Sequence, residues 1–400
     1  MGLIKTLKSL DYSALALALC LFAGLRPYFL WNAPGIIDIT IKGITILLVW
    51  YHTNFKNRHA PLLFVFFSIL LLLQGFIRGY DIITWLVTII PISLLPLINV
   101  SSANNCFTYF VVIFAGILLG SILVWTLVLV GFSLPFEVID PLNSIKDYNY
   151  IKYPLLLVPT KTNIMQDIRF GGPFDEPGVV GTICLICLFI NKYNLRKWYN
   201  IVLLIAGVCS FSLMFVIGTL IYVCSLLFNR KPWAIIIVAI IIAVFYGMTN
   251  ENEVFDELLY SRLEWNSSSG SFSGDNRSKN GEAEYLNQIR GTSDYYWGGP
   301  PNINQRFAGS WGIRNVVIIY GFIFVALYCI FFFAFALSRR LSFKSLSLFG
   351  LIFLAVIYQR PDLFETTKVF LFTYLILRLK QDEIDEIRIR ERHQTSYKLA

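Results

Sequence analysis

The chain has 400 residues, of which 56% are hydrophobic and only 14% are charged, and its mean hydropathy is +0.64. About a quarter of the residues of a soluble protein are charged, so this composition excludes an ordinary soluble domain and predicts a polytopic membrane protein. The formal net charge of +8 would suit a protein that binds nucleic acid, but the bases are spread between apolar segments, so no nucleic-acid partner is expected.

Apolar segments long enough to cross a bilayer, which takes about 20 residues, recur along the chain. The predicted spans are 12–30, 36–51, 62–77, 82–98, 107–131, 178–190, 199–211, 212–228, 233–249, 312–337, 345–359 and 364–379. The first span lacks a small-residue cleavage site and leads straight into others, so it is predicted to be a helix and not a removed signal. The region 199–228 is divided in two, crossing twice or re-entering, because both flanks are basic. The expected fold is all-α, a single integral membrane domain over residues 1–400 with about 12 transmembrane helices.

The distribution of charge predicts the orientation of these helices. On one side, Asp11 is the only acid in the short loops, which carry many bases: Lys5, Lys8, Lys56, Arg58, Lys192, Arg196, Lys197, Arg230, Lys231, Arg339, Arg340 and Lys344. Because lysine and arginine concentrate in cytoplasmic loops, both termini are predicted to be cytoplasmic. The tail, residues 380–400, mixes acids and bases and is predicted to be a solvated helix.

Two segments on the outer side, at about 132–176 and 250–311, are too long to be simple connections. In the second loop, acids outnumber bases. It contains "ENEVFDELLYSRLEW", residues 251–265, whose apolar spacing predicts a short helix at the membrane interface. The turn-rich "NSSSGSFSGDNRSKNG" follows it. The second loop is therefore expected to be partly helical.

The sequence "RFGGPFDEPGVVGTI", residues 169–183, gathers charge where a predicted span begins. Pro177 suits the first turn of a helix, and Asp175 or Glu176 could simply cap that helix. Capping does not explain Arg169, because a cation gains nothing from the positive end of a helix. A guanidinium beside exposed helix-start amides is instead suited to bind phosphate.

Further charged and aromatic residues are predicted on the same outer side. The charged ones are Arg26, Arg78, Asp81, Arg262, Arg277, Arg290, Arg306, Arg314, Arg360, Asp362 and Glu365. Any single arginine could be an interfacial anchor, but their number on the side where the charge rule predicts few is informative. The aromatic residues Tyr260, Trp265, Tyr285, Tyr295, Tyr296, Trp297 and Trp311 fit either an interfacial belt or platforms for sugar rings. Asp38 and Lys42, four residues apart in a span, are expected to pair with each other.

Several kinds of chemistry are not indicated by the sequence. It contains no Walker loop, no HExxH and no cluster of cysteine and histidine ligands, and the three histidines, His52, His59 and His393, fall on the predicted cytoplasmic side. All seven cysteines lie within or at the ends of apolar segments, so no disulfide framework is expected. The pair Cys184 and Cys187 is interpreted as packing within a helix. Neither a cofactor nor a metal is expected.

The segment "RFGGPFDEPGVVGT" resembles the signature of the Wzy-type polymerases of bacterial O-antigen and capsule repeat units. The resemblance extends in layout to a later outer loop with several arginines and to "IIYGFIFVALY", which contains Gly321. The chain differs from the related O-antigen ligases, which have a histidine late in the large outer loop. It also has "SFSLMFVIG" where many relatives have Ser-Arg-Gly.

The resemblance implies a multi-pass protein of the bacterial inner membrane that polymerises oligosaccharide repeat units linked to undecaprenyl diphosphate. The reaction would take place at the outer face of that membrane, without a metal and with inversion at the anomeric carbon. Its partners would be the lipid-linked oligosaccharide, membrane lipid, a chain-length regulator and a flippase. An O-antigen ligase or another lipid-linked glycosyltransferase is the alternative enzyme, and a lipid-linked oligosaccharide flippase is the alternative transporter.

The resemblance and the residues together give the candidate site. Its catalytic candidates are Glu176, Asp175 and Arg169, with either carboxylate as the base. Its candidate contacts to diphosphate or glycan are Arg26, Arg169, Arg262, Arg277, Arg290, Arg306, Arg314, Arg360, Tyr295 and Trp297.

Overall fold

The structure is a computed structural model that describes residues 11–53, 60–77, 79, 82–141, 148–160, 169–228, 265–266, 271–272, 282–300, 303 and 312–399. The predicted span 233–249 and nearly all of the predicted interfacial helix at 251–265 lie outside these residues. So do the following site candidates and neighbours: Arg78, Asp81, Tyr260, Arg262, Arg277, Arg306 and Trp311.

The chain is mostly helical, as predicted. The helices are α1 (Tyr12–Gly24), α2 (Gly35–Tyr51), α3 (Ala60–Ile77), α4 (Ile82–Leu94), α5 (Val100–Leu129), α6 (Pro177–Ile190), α7 (Trp198–Cys209), α8 (Leu213–Phe228), α9 (Glu282–Ile289), α10 (Ser293–Trp297), α11 (Ile313–Tyr320), α12 (Phe322–Ser338), α13 (Phe343–Gln359) and α14 (Thr366–Leu399). Two 3₁₀ turns add to them, Tyr28–Leu30 and Leu95–Leu97.

Most predicted spans coincide with a helix to within a few residues, since the boundaries follow capping chemistry that can be read from the sequence. Asp11 accepts a hydrogen bond from the backbone N–H of Ala14 at 3.1 Å and begins α1. Asn99 caps α5 in the same way, accepting from Ser101 at 3.1 Å. Such caps satisfy amides that a helix start leaves without a partner.

In the described part of the chain, fewer helices are long and apolar enough to cross a membrane than the number of crossings predicted from the sequence. Among the described residues, α5 is long and apolar enough to cross a membrane by itself, and α11 with α12 would be a second such element if the bent pair is counted as one. Most of the remaining apolar helices have 10 to 17 residues.

The predicted span at 312–337 is not one straight helix, because it is divided into α11 and α12, whose axes differ by 110°. Gly321 lies at the break with φ +86° and ψ 150°, a conformation that only glycine adopts without strain. Gly298, after α10, has φ +96°, and the neighbouring Gly299 donates to the carbonyl of Ile318 at 2.8 Å. Helix α10 of the second long loop therefore packs against this bend.

The helix ends gather at two opposite ends of the bundle. At the end that we call the site end, Tyr28 donates to the carbonyl of Pro173 at 2.9 Å, and Thr367 donates to the carbonyl of Leu21 at 2.6 Å. The segments assigned to the outer side by charge meet here.

At the other end, which we call the tail end, Lys192 pairs with Asp382 at 2.9 Å, and Arg339 donates to the carbonyl of Pro96 at 3.4 Å. The described basic loops that the charge rule assigns to the cytoplasm meet here. Helix α14 continues through the bundle into the tail without a break, so the tail is helical as predicted.

The first long loop contains a small sheet that the all-α prediction missed. Strands β1 (Glu137–Ile139), β2 (Tyr150–Tyr153) and β3 (Leu156–Pro159) are antiparallel in the order β1-β2-β3. In the second loop, the two-residue strands β4 (Trp265–Asn266) and β5 (Ser271–Phe272) form a further antiparallel pair. The sheet in the first loop lies at the site end, where Leu157 donates to the carbonyl of Gly172 at 2.9 Å.

Candidate functional site

Residues 169–176 form a compact turn that leads into α6. Phe170 donates to the carbonyl of Cys209 at 2.9 Å, and Phe174 donates to that of Gly171 at 3.2 Å. Gly172 has φ +56°, which suits glycine. The turn buries the rings of Phe170 and Phe174 and brings the following acids to the start of α6.

Glu176 is the N-cap residue of α6, but its side chain makes no capping hydrogen bond. Its carboxylate forms an ion pair with the guanidinium of Arg360 instead. The capping interpretation is therefore wrong for the Glu176 side chain. The pair joins two residues that are 184 positions apart in the chain.

Arg360 reaches this position because α13 ends directly before it. Pro361 disfavours the helical conformation in the preceding residue, and Arg360 has φ −141° and ψ 76°. A methyl group at Gly178 would lie 2.6 Å from one guanidinium nitrogen of Arg360. Glycine at position 178 thus leaves the space that lets the guanidinium approach the first turn of α6.

Arg360 is only 8% exposed, and its Nε atom is buried with no hydrogen-bond partner among the described residues. Burial lowers the pKa of Arg360, but the carboxylates of Glu176, Asp362 and Asp175 outweigh this effect and raise it. The side chain is therefore a buried cation held by Glu176, and its Nε–H is a hydrogen-bond donor without a partner among the described residues. Such a group can bind an anion if its present partner gives way.

A second buried cation lies beside this pair. Lys368, in the first turn of α14, is 2% exposed and pairs with Asp362 and with Glu365, the latter at 2.9 Å. One oxygen of Glu365 is buried without a hydrogen-bond partner among the described residues.

Together, Glu176, Arg360, Asp362, Glu365 and Lys368 form what we call the charged cluster. It contains three carboxylates and two cations, at the starts of α6 and α14. Sequence reasoning proposed Arg360 and named Asp362 and Glu365, but it missed Lys368. A signal was present, since a lysine in a first helical turn opposes the helix dipole and requires nearby acids.

Arg169 lies at the same end but contacts a different helix. Its guanidinium donates to the carbonyl of Ser210 at 3.2 Å and to that of Phe211 at 3.5 Å. These carbonyls follow the C-terminus of α7, where a cation is favoured by the dipole. Arg169 thus holds the α7–α8 junction, a role that the sequence did not indicate.

Asp175 is connected to Arg26 through two aromatic residues. The hydroxyl of Tyr150 donates to the Asp175 carbonyl at 2.7 Å, and Tyr150 packs edge-to-face against Trp31 at 5.7 Å. Trp31 donates to the carbonyl of Arg26 at 2.9 Å. Burial raises the pKa of Tyr150 far above its usual range, so the phenol stays protonated and holds the turn. Arg26 itself is exposed.

The described part of the second long loop lies near the cluster through α11. Tyr320 at the end of α11 packs against Phe364 with ring centroids 5.1 Å apart. Phe364 directly precedes Glu365, which is a member of the charged cluster. Tyr295 stacks on Phe322 at 5.6 Å, so its ring is engaged in packing. Trp297 is 52% exposed.

The other residues predicted from sequence have simpler placements. Arg290 follows α9 and is exposed, whereas Arg314 lies in the first turn of α11 and is half-buried. Asp38 and Lys42 pair with each other at 2.8 Å, as expected. All seven cysteines are free thiols, and Cys184 and Cys187 are buried within α6, which agrees with a packing role.

No family model, curated protein or solved structure matches this chain.

Proposed function

We propose that this protein is a multi-pass glycosyltransferase of the bacterial inner membrane that polymerises undecaprenyl-diphosphate-linked oligosaccharide repeat units into O-antigen or capsular polysaccharide. In this proposal the bundle has about twelve helices, and the site end faces outward. A chain-length regulator and a flippase would act with it.

Exposed apolar side chains support the membrane placement. Leu47, Leu62, Phe76 and Leu123 lie on three different helices, and each is at least 60% exposed. Soluble monomers rarely present such extended apolar surfaces. The separation of basic loops at the tail end from the charged cluster at the site end agrees with the orientation expected from the charge rule.

The ion pair between Arg360 and Glu176 is the observation that carries the proposed chemistry. It places a buried guanidinium against a carboxylate at the start of a helix. A lipid-linked diphosphate can form bidentate hydrogen bonds with a guanidinium, and the amides of the first turn of α6 favour the same anion. The diphosphate would thus compete with Glu176 for Arg360, and binding would release the Glu176 carboxylate.

The reaction then follows without a metal. The acceptor hydroxyl oxygen attacks the anomeric carbon of the donor sugar, forming a glycosidic C–O bond, while the bond from that carbon to the diphosphate oxygen breaks. The hydroxyl proton passes to the released carboxylate of Glu176, and undecaprenyl diphosphate leaves with the bonding electron pair. Inversion requires that the released Glu176 carboxylate act from the side of the anomeric carbon opposite the diphosphate. Two carriers held in one membrane align the reactants.

The charged cluster has three carboxylates and two cations, so it already has an excess of negative charge. Arg360 alone therefore cannot neutralise the additional negative charge of a bound diphosphate. Additional cations would come from the site end and from the second long loop. The candidates are Arg26, Arg169, Arg290 and Arg314, together with Arg262, Arg277 and Arg306, which lie outside the described residues.

Replacing Glu176 by glutamine should reduce polymer formation by about 10²–10⁴-fold, because the amide has a similar shape but cannot accept the proton. The measurement is the rate of chain extension by the purified protein in vesicles that contain lipid-linked repeat units. Glu137→Gln is the matched control, because Glu137 pairs with Lys152 at an exposed site, where an ion pair contributes little. Full activity of Glu176→Gln would remove Glu176 from the mechanism.

The same vesicle experiment, with products separated on a gel, distinguishes the classes of protein. Extended polymer supports the proposed polymerase. Transfer of the glycan to a different lipid acceptor would identify a ligase, and movement of the repeat unit between leaflets without covalent change would identify a flippase.

Replacing Arg169 by alanine should abolish polymer in cells while single repeat units still reach the outer leaflet. The change also removes the contacts to Ser210 and Phe211, which should lower stability by about 1–2 kcal/mol. Protein abundance is therefore measured beside the glycan ladder. A ladder of normal length in Arg169→Ala would show that Arg169 has no part in catalysis.

A further inference from the structure

The small sheet has two different faces. The register pairs Val138 with Ile151 and Ile151 with Val158, so these three side chains share one face, since side chains alternate along a strand. Tyr150 and Leu157 occupy the other face. Both are buried, and Tyr150 contacts the turn before α6. The face with Tyr150 and Leu157 thus covers the site. The opposite face is apolar; it is buried at Leu156, where Val158 packs against the core, and exposed at Val138.

The apolar face continues along the chain into exposed apolar residues that precede β1. The exposed fractions are 61% for Phe132, 64% for Phe136 and 53% for Val138. No charged residue occurs from Val130 to Phe136, and the first one, Glu137, pairs with Lys152 on the other face of the sheet at 2.6 Å.

This apolar surface also continues into helix α5. Leu119, Leu123 and Leu127 are exposed at intervals of four residues, and Val130 follows three residues later at 70% exposure. Residues at this spacing lie on one side of a helix. The stripe therefore leads along α5 and directly into the segment before β1. In the proposed membrane placement, the side of α5 that carries this stripe faces lipid.

We propose that residues 130–138 bind the outer leaflet of the bilayer, with the side chains of Phe132, Phe136 and Val138 inserted at the boundary between headgroups and acyl chains. This inference rests on the membrane placement in the proposed function. Exposed aromatic and aliphatic side chains on a segment that precedes a charged residue, Glu137, favour that depth. The partner is thus the lipid surface itself.

Such an anchor would set the depth of the site. The buried face of the sheet holds the turn that carries Asp175 and Glu176, through the contact from Tyr150 to the Asp175 carbonyl. With the exposed β1 end of the other face in the headgroup region, Glu176 and Arg360 would lie close to the level of phosphate groups. A lipid-linked diphosphate could then reach Arg360 by lateral diffusion, without leaving the membrane.

The test uses the full-length protein in nanodiscs of phosphatidylethanolamine and phosphatidylglycerol, with a genetically encoded fluorescent amino acid at one position. Lipids brominated near the headgroup or deep in the acyl chain serve as quenchers. The probe replaces Phe136 on the apolar face, Lys152 on the site-facing side as the matched control, or Leu123 on α5 as the positive control.

We expect at least twofold quenching at positions 136 and 123 and little at 152, with shallow bromines more effective than deep ones at 136. Quenching at 123 without quenching at 136 would overturn the anchor, because another part of the chain or water would then cover the sheet. Absence of quenching at 123 would overturn the membrane placement itself. Equal quenching at 136 and 152 would contradict the assignment of the two faces.

Discussion

Replacing Arg360 by alanine should reduce polymer formation by at least about 10²-fold, the usual effect of removing one preorganised donor to a developing negative charge. The guanidinium is the buried cation that faces Glu176, and its Nε atom has no hydrogen-bond partner among the described residues. Its loss would remove the diphosphate contact and the resting partner of the base together. Binding of lipid-linked diphosphate and the rate of chain extension are measured separately, both in vesicles.

Two further variants separate catalysis from stability. Arg360→Ala leaves Glu176 without its cation, and breaking a buried pair costs about 3–5 kcal/mol, less here because the Glu176 side chain is 35% exposed. The double variant Glu176→Ala/Arg360→Ala removes both charges and should recover much of that stability, but none of the activity. Arg360→Lys keeps the charge without the planar fork and should retain partial binding. Polymerisation by Arg360→Ala at the wild-type rate would contradict the proposed mechanism.

The sequence predicted which side of the membrane Arg360 should occupy but not which residue it contacts. The charge rule depends on counts within loops, whereas the partner depends on how the bundle brings the start of α6 to the end of α13. Glu176 and Arg360 come together because α6 begins and α13 ends at the same level of the bundle. No spacing along the chain indicates that these two helix ends meet. Pro361 was the local signal, since it ends α13 and leaves Arg360 at the helix end.

Arg169 shows the opposite limitation. The argument from sequence considered only the positive end of α6, which gives a cation no advantage. The structure adds a second helix end, the carbonyls that follow α7, where the same cation is favoured. A helix terminus from elsewhere in the chain thus supplies a structural explanation for a residue that sequence reasoning could explain only by function.

The elements that sequence reasoning missed are those whose pattern is short. Strands of three or four residues give little periodicity, although "YIKY" and "LLVP" have the aromatic and branched residues that strands favour. The bend at Gly321 was missed for a related reason. An apolar segment of about 26 residues satisfies the length of one span, and a single glycine inside it does not reveal a 110° change of direction.

Replacing Gly321 by alanine should destabilise the protein strongly. A methyl group there would lie 2.6 Å from the backbone nitrogen of Gly298 and closer still to the carbonyl oxygen of Tyr296. These neighbours are main-chain atoms, so no side-chain rotation can relieve the clash. The positive φ adds a strain of about 1–3 kcal/mol. We expect α10 to detach from the α11–α12 bend, which should lower the melting temperature and increase proteolysis within the second loop.

The matched control is Gly43→Ala, in the interior of α2, where an added methyl group has no neighbour within 4 Å. This change should be neutral or stabilising by about 0.5–1 kcal/mol. If Gly321→Ala melts and resists protease as the wild type does, the bend is not set by Gly321.

The bend also connects stability to the proposed activity, because Tyr320, the residue before Gly321, packs against Phe364 beside the charged cluster. Detachment of α10 should therefore lower chain extension in Gly321→Ala, even in the fraction that remains folded. Gly43→Ala, whose added methyl group has no neighbour within 4 Å, should extend chains at the wild-type rate. A destabilised Gly321→Ala whose folded fraction retains full activity would show that the bend positions the second loop but not the charged cluster.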